Sequence, residues 1–344
     1  MSVRGTTVYY SHPGGRGWDT VELMAQTAAR WLEADLVRLD AGSGYSRSWL
    51  LRGLLPRPPR RFRGGPGVVI AGAPAHLNAV LALPALRRAH DPLVGWVIDS
   101  FWHERIPRIA RGRGVFDRLF ITDAEFVPEW ESATGTPTTW LPFGADVLDA
   151  GSAAGDRPVD VQRAGRQPAA WDDDDAVARA AAELGLTYRG RTPFHADPAR
   201  NQAGLMAAEA EAKFTLAFSN VAAPADYTHP TRQYLTGRWT DALASGSTVA
   251  GIAPVCRATS ELLWPEALLE LGTTDRDDGL RQIAAAVQEW IPARARLNHL
   301  RALERLDWRW RIERLAREAQ IDAPGLPAEL TRLLARIAEL TRVG

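Results

Sequence analysis

Short apolar runs, separated by stretches of helical period, organise the first part of the chain. TTVYYS (6–11), ADLVRLD (34–40), GVVIAGA (67–73), LVGWVID (93–99), DRLFITD (117–123) and TTWLPFGAD (138–146) read as strands. Helical patterns at 20–34 and near 77–90 stand between them. Strands this short and this apolar, each followed by a helix, predict a parallel sheet covered on both faces. A small, polar segment, AGSAAGDRP (150–158), reads as a linker. A second series follows it: VDVQRAG (159–165), a helix from Asp173 to Leu184, LTYRG (186–190), a helix near 198–212, and KFTLAFSN (213–220). TVAGIA (248–253) and ALLELG (267–272) complete the strands, and long Arg/Ala/Leu/Glu helices fill 278–341. The expected fold class is α/β, with two Rossmann-like doubly wound domains facing a cleft. The expected boundaries are 1–150, 151–320 and a C-terminal helix over 321–344. Ligands of such sheets sit at the C-terminal ends of the strands.

Composition narrows the function. Lys+Arg and Asp+Glu both number 41, so the formal net charge is zero and nothing drives the chain toward nucleic acid or an anionic membrane. Lys213 is the only lysine, so arginine abundance follows base composition, pointing to a GC-rich bacterial genome. Position, not number, must single out a functional arginine. One cysteine, Cys256, excludes an internal disulfide and a CxxC metal or redox site, and is expected as a small buried residue. No apolar run approaches the ~20 residues of a membrane span, and the N-terminus lacks a signal-peptide pattern, so a cytoplasmic protein is expected.

HPTRQYLTGRWTDALASGSTVAGIAP (229–254) carries the most chemistry. An Arg-rich, Gly-broken turn enters a short helix with an acid on its second turn, stopped by Ser245, Gly246 and Ser247 before an apolar strand. A helix N-terminus and nearby guanidinium groups suit a diphosphate, and a carboxylate suits ribose hydroxyls. Together they suit a nucleotide sugar.

The order of elements resembles the GT-B fold of nucleotide-sugar glycosyltransferases, in particular the retaining, group 1-type superfamily. WLPFGAD (140–146) is similar to the segment preceding the donor domain there, and AGR (164–166) to the Gly-Arg loop after that domain's first strand. Gln233 and Asp241 keep the spacing of the superfamily's paired acids, with ALASGSTVAG (242–251) after the second. Gln233 replaces the first acid, Asp241 is shorter than the usual Glu, and no lysine follows Arg166. Arg232 or Arg238 could supply the missing charge.

The resemblance implies transfer of a sugar from a nucleoside-diphosphate sugar to a hydroxyl or amine of a small-molecule or glycan acceptor, with retention and without metal or other cofactor. Specialised metabolism or envelope building is its expected setting. It implies donor contacts from Gly14, Gly15, Arg166, Arg232, Gln233, Thr236, Gly237, Arg238 and Asp241. Asp99, at a strand end, is the candidate catalytic acid or base, although a strand-end Asp also caps helices. His12, His76 and His103 are acceptor-side candidates. Gly14 and Gly15 also read as a plain tight turn, and Asp172–Asp175 as a helix N-terminus rather than a metal site. Alternatives are a GT-B nucleotide-sugar epimerase or phosphorylase, or a non-catalytic nucleotide-sugar-binding protein. No oligomeric state is implied.

Overall fold

The structure, a computed structural model, describes residues 5–12, 17–40, 59, 64–81, 83, 86–112 and 115–342. The chain divides into two compact units. One comprises Met1–Phe143 and Arg309–Thr331, the other Gly144–Trp308 and Arg332–Gly344.

The first unit is built on a six-stranded, all-parallel sheet in the order β2-β1-β3-β4-β5-β6. Its strands are β1 (Thr7–His12), β2 (Asp35–Asp40), β3 (Gly67–Ala71), β4 (Leu93–Val97), β5 (Arg118–Ile121) and β6 (Thr138–Trp140). The central strands β3 and β4 are buried at every position, which is why they read as unbroken apolar runs. The helix Asp19–Trp31 packs Val21, Met24, Ala25 and Ala28, at helical spacing, against this sheet. The second unit carries five parallel strands in the order β11-β10-β9-β7-β8. They are β7 (Val159–Arg163), β8 (Tyr188–Arg189), β9 (Ala212–Phe218), β10 (Thr248–Ile252) and β11 (Leu268–Glu270). Its core gathers Val161, Trp171, Phe214, Leu216, Phe218, Leu280 and Ile283.

Each sheet runs second-first-third-fourth-fifth in chain order, so the direction of winding reverses between β1 and β3 and again between β7 and β9. Neighbouring connections leave to opposite faces at such a point and open a crevice at the strand ends.

Several expectations change. TTWLPFGAD is a strand only over Thr138–Trp140, because Pro142 offers no donor; beyond it Ala145 makes an isolated bridge to Asp307. The helix expected near 77–90 is two pieces, Leu77–Leu81 and Leu86–Ala89, with helix-breaking Pro84 between them in the sequence. Segment 150–158 is no loose linker. Arg157, 3% exposed, donates from it to the carbonyls of Ala154, Glu209, Ala212 and Ser245. The unit division falls at Phe143/Gly144, ahead of that segment. Residues 309–331 group with the first unit, and the remaining C-terminal residues with the second. Cys256 is partly exposed, its thiol 3.3 Å from the Thr259 hydroxyl, since it starts a surface helix rather than filling the core.

Candidate functional site

In the second unit, β7 ends in Arg163 and turns through Ala164, Gly165 and Arg166 at the edge of the β7/β9 crevice. Gly165 is left-handed (φ 63°), and a Cβ there would stand 2.6 Å from Arg238 Cδ. Only glycine meets both demands. Arg238 comes from the helix Gly237–Ala244, whose N-cap is Thr236. Its Nη1 donates to the Arg166 carbonyl (3.2 Å) and its Nε to Thr236 Oγ1 (3.3 Å), while the guanidinium lies 5.0 Å from the Trp239 ring centre. Arg166 Nε donates to the Ala223 carbonyl, and Nη1 to the Tyr227 hydroxyl (3.0 Å).

All these partners are neutral. Several other arginines meet carboxylates, as in Arg38–Glu22, Arg189–Glu211 and Arg314–Glu318. Among the described residues, neither Arg166 nor Arg238 has a carboxylate partner. Burial, and then the like charge of Arg166, push the Arg238 guanidinium down to about 10, still charged at neutral pH. Two adjacent cations without a counter-ion, beside helix-start amides that lack intrahelical acceptors, form a place for a multiply charged anion. The helix ends as the sequence suggested. Gly246 (φ 78°) lets its N–H reach the Leu243 carbonyl and that of Ser247 reach Ala242, closing the last turn before β10.

Other donor-side candidates are placed differently. Gln233 Oε1 accepts from the Val255 N–H (3.1 Å), so its amide ties the 229–236 turn to the loop after β10. Arg232 enters that turn through its main chain, its N–H donating to His229 Nδ1 (3.0 Å) and its carbonyl accepting from Asn220 Nδ2 (2.8 Å). Asp241, 3% exposed, accepts from Gln202 Nε2 (3.0 Å) at Oδ2, and its buried Oδ1 has no hydrogen-bond partner. Burial raises its carboxyl to about 7; Gln202 opposes the rise and the like charge of Asp146 adds to it. Gly14 and Gly15 lie outside the described residues.

The Asp172–Asp175 run is consumed by structure. Asp173 caps the helix Asp174–Glu183 by accepting from the Ala176 N–H (3.0 Å). Asp174 accepts from Arg163 Nη1 (2.9 Å), the Tyr188 hydroxyl (2.9 Å) and the Arg191 N–H (3.0 Å).

In the first unit, His12 and His76 stand on either side of the β1/β3 crevice, at the end of β1 and just past β3. His76 Nδ1 accepts from the Ala73 N–H (3.0 Å), which leaves the ring proton on Nε2. Burial, then His12, lower its pKa to about 4, so it is neutral at physiological pH. His12 Nε2 lies 3.8 Å from Glu22 Oε2. Asp99 follows β4, and its N–H donates to the Gly72 carbonyl (2.7 Å). His103 stands further along the same exit, stacked on Phe126 at 5.5 Å between centroids.

Asp123 is the residue the sequence reading passed over. Val97 pairs with Ile121, so Asp99 and Asp123 sit two residues beyond a matched pair on neighbouring strands. The endings VID and ITD carry that signal. Asp123 Oδ2 accepts from Ser100 Oγ (2.6 Å), and the Asp123 N–H donates to the same hydroxyl (3.0 Å). Burial, and then the Asp123 charge, raise Asp99 to about 8; burial raises Asp123 to about 7, opposed by the hydrogen bond from Ser100 and aided by the Glu125 charge. Asn220 and His229, which shape the arginine turn, were likewise unmarked, because polar residues in a loop leave no period.

The sequence matches no protein-family model and no curated protein. Among solved structures, HepE from Anabaena in complex with UDP-glucose matches with a TM-score of 0.55 at 12% identity, over 92% of this chain and 99% of that one. A UDP-forming α,α-trehalose-phosphate synthase from Burkholderia vietnamiensis gives the same TM-score, identity and coverages. A glycosyltransferase from Rickettsia africae matches with a TM-score of 0.53 at 8% identity, over 92% of this chain and 98% of that one. These likenesses, spanning both units, place the chain in the GT-B fold, two Rossmann-like units in succession.

Proposed function

We propose that this protein is a glycosyltransferase that takes a sugar from a nucleoside diphosphate. The observation that carries the reading is the Arg166–Arg238 pair at the β7/β9 crevice, two neighbouring guanidiniums with only neutral partners. A diphosphate leaving group gains negative charge as the glycosidic bond breaks, and fixed cations and amides aimed at it lower the barrier. Arg166, Arg238 and the amides at Gly237 meet the phosphates in this reading, with Thr236 and Arg232 at the same turn. Asp241 serves as ribose acceptor by exchanging Gln202 for a hydroxyl. Gly14 and Gly15 remain donor-side residues. HepE binds UDP-glucose and the trehalose-phosphate synthase is UDP-forming, which supports a nucleotide-sugar ligand.

The acceptor, a hydroxyl- or amine-bearing small molecule or glycan, meets the strand ends of the first unit, where His12, His76, His103 and Asp99 stand. Asp99 orients or deprotonates it, and neutral His76 offers an Nε2–H donor. The reaction retains anomeric configuration and runs without metal in the cytoplasm. Among the described residues no helix is long and apolar enough to cross a membrane. Gln233, its amide engaged by Val255 where an acid would serve transfer, favours one rival, a non-catalytic nucleotide-sugar binder.

Thermal unfolding in the presence of UDP, GDP, dTDP and ADP tests the reading. One diphosphate at about 100 times its Kd is expected to stabilise the protein by ~2.7 kcal/mol. No stabilisation by any of the four would overturn it. Because arginines carry the leaving-group charge, EDTA is expected to leave the transfer rate unchanged. A loss restored by Mg²⁺ or Mn²⁺ would refute the metal-free mechanism.

A further inference from the structure

We propose that Arg163, braced by Asp172 and Asp174, is a positioning residue that shapes the 163–166 turn to hold phosphate; this rests on the donor site above. Arg163 is 1% exposed, at the last position of β7. Its Nη2 meets Asp172 Oδ1 (2.5 Å), its Nη1 meets Asp174 Oδ1 (2.9 Å) and the Asp172 carbonyl (3.0 Å), and its Nε donates to the Gly165 carbonyl (3.2 Å). The guanidinium therefore links a fixed acidic helix start to the one left-handed residue of the turn.

That contact belongs to a set. The Arg163 carbonyl accepts from Gln162 Nε2 (2.8 Å), Ala164 from Gln167 Nε2 (3.0 Å), Gly165 from Arg163, and Arg166 from Arg238. Each of these consecutive carbonyls is thus strapped by a side chain. In a trans peptide the N–H points opposite the carbonyl before it, so the straps fix the directions of the Gly165, Arg166 and Gln167 amides. Successive amides around a left-handed residue make an anion-binding concavity. Arg163 is the only strap tied to carboxylates. Burying the Arg163 guanidinium is costly unless it is paired, and fixing the turn is the role that burial and pairing perform here.

The test compares a nucleoside diphosphate with the monophosphate of the same base by calorimetry, using whichever of UDP, GDP, dTDP or ADP stabilises the unmodified protein. Arg163→Lys keeps the charge but lacks the planar fork. It is expected to weaken diphosphate binding by about tenfold while monophosphate affinity stays within about twofold. Asp172→Asn, at a 60% exposed side chain, is expected to shift the same ratio in the same direction. A merely structural role would lower the melting temperature or weaken both ligands equally. Folded variants with the unmodified diphosphate-to-monophosphate ratio would overturn the proposal and leave the functional reading standing. An unmodified protein that binds no nucleoside diphosphate would overturn the functional reading itself, and this inference with it. Should Arg163→Lys fail to fold, the Asp172→Asn ratio decides.

Discussion

Arg238→Ala is expected to weaken binding of the donor nucleoside diphosphate by about ten- to a hundredfold, the loss of one charged hydrogen-bonding partner of phosphate. Stability should change little. The side chain donates only to neutral oxygens, and its removal relieves repulsion with Arg166. The monophosphate should be affected less than the diphosphate. Calorimetry on the variant, with its melting temperature measured alongside, separates the two effects. Diphosphate affinity equal to that of the unmodified protein would remove Arg238 from the site. Arg189→Ala is the control, because that guanidinium is paired with Glu211 at 2.6 Å and belongs to an exposed ion pair.

Asp99→Asn is expected to leave diphosphate affinity intact and slow transfer by about 10²–10⁴-fold, the range for loss of general acid–base assistance. The pH dependence follows from burial and the Asp123 charge, which raise the Asp99 carboxyl to about 8. If the carboxylate is the active form, kcat climbs with pH through about 8, and the Asn variant loses that limb. The stability sign is opposite. A raised folded-state pKa means the native protein holds a proton that the unfolded chain releases near pH 4. The resulting stabilisation is complete below that value and is lost as pH rises through about 8. Asp99→Asn should therefore resist alkaline unfolding better than the unmodified protein while turning over more slowly. A variant with full turnover would exclude Asp99 from the chemistry.

The alternating runs of the sequence contained the two parallel sheets, because strand burial and helix amphipathicity are local patterns with fixed periods. The turn-helix-strand run at 229–254 was legible for the same reason, and so was the capping role of the Asp172–Asp175 run. The limits of WLPFGAD and LTYRG were not, since a strand ends where its neighbour ends. Which arginines matter could not be read from one dimension either. Arg166 and Arg238 stand 72 positions apart, and only the fold brings their two guanidiniums together with neutral partners. Asp123 gains its place beside Asp99 through the register of β4 and β5. Gln233 turned to Val255, and Asp241 to Gln202, through contacts 22 and 39 positions away. Sequence period determined the elements and the ends at which a ligand would sit. Tertiary structure alone decided which charges were neutralised by partners and which were left for one, because that balance depends on distances between residues remote in the chain.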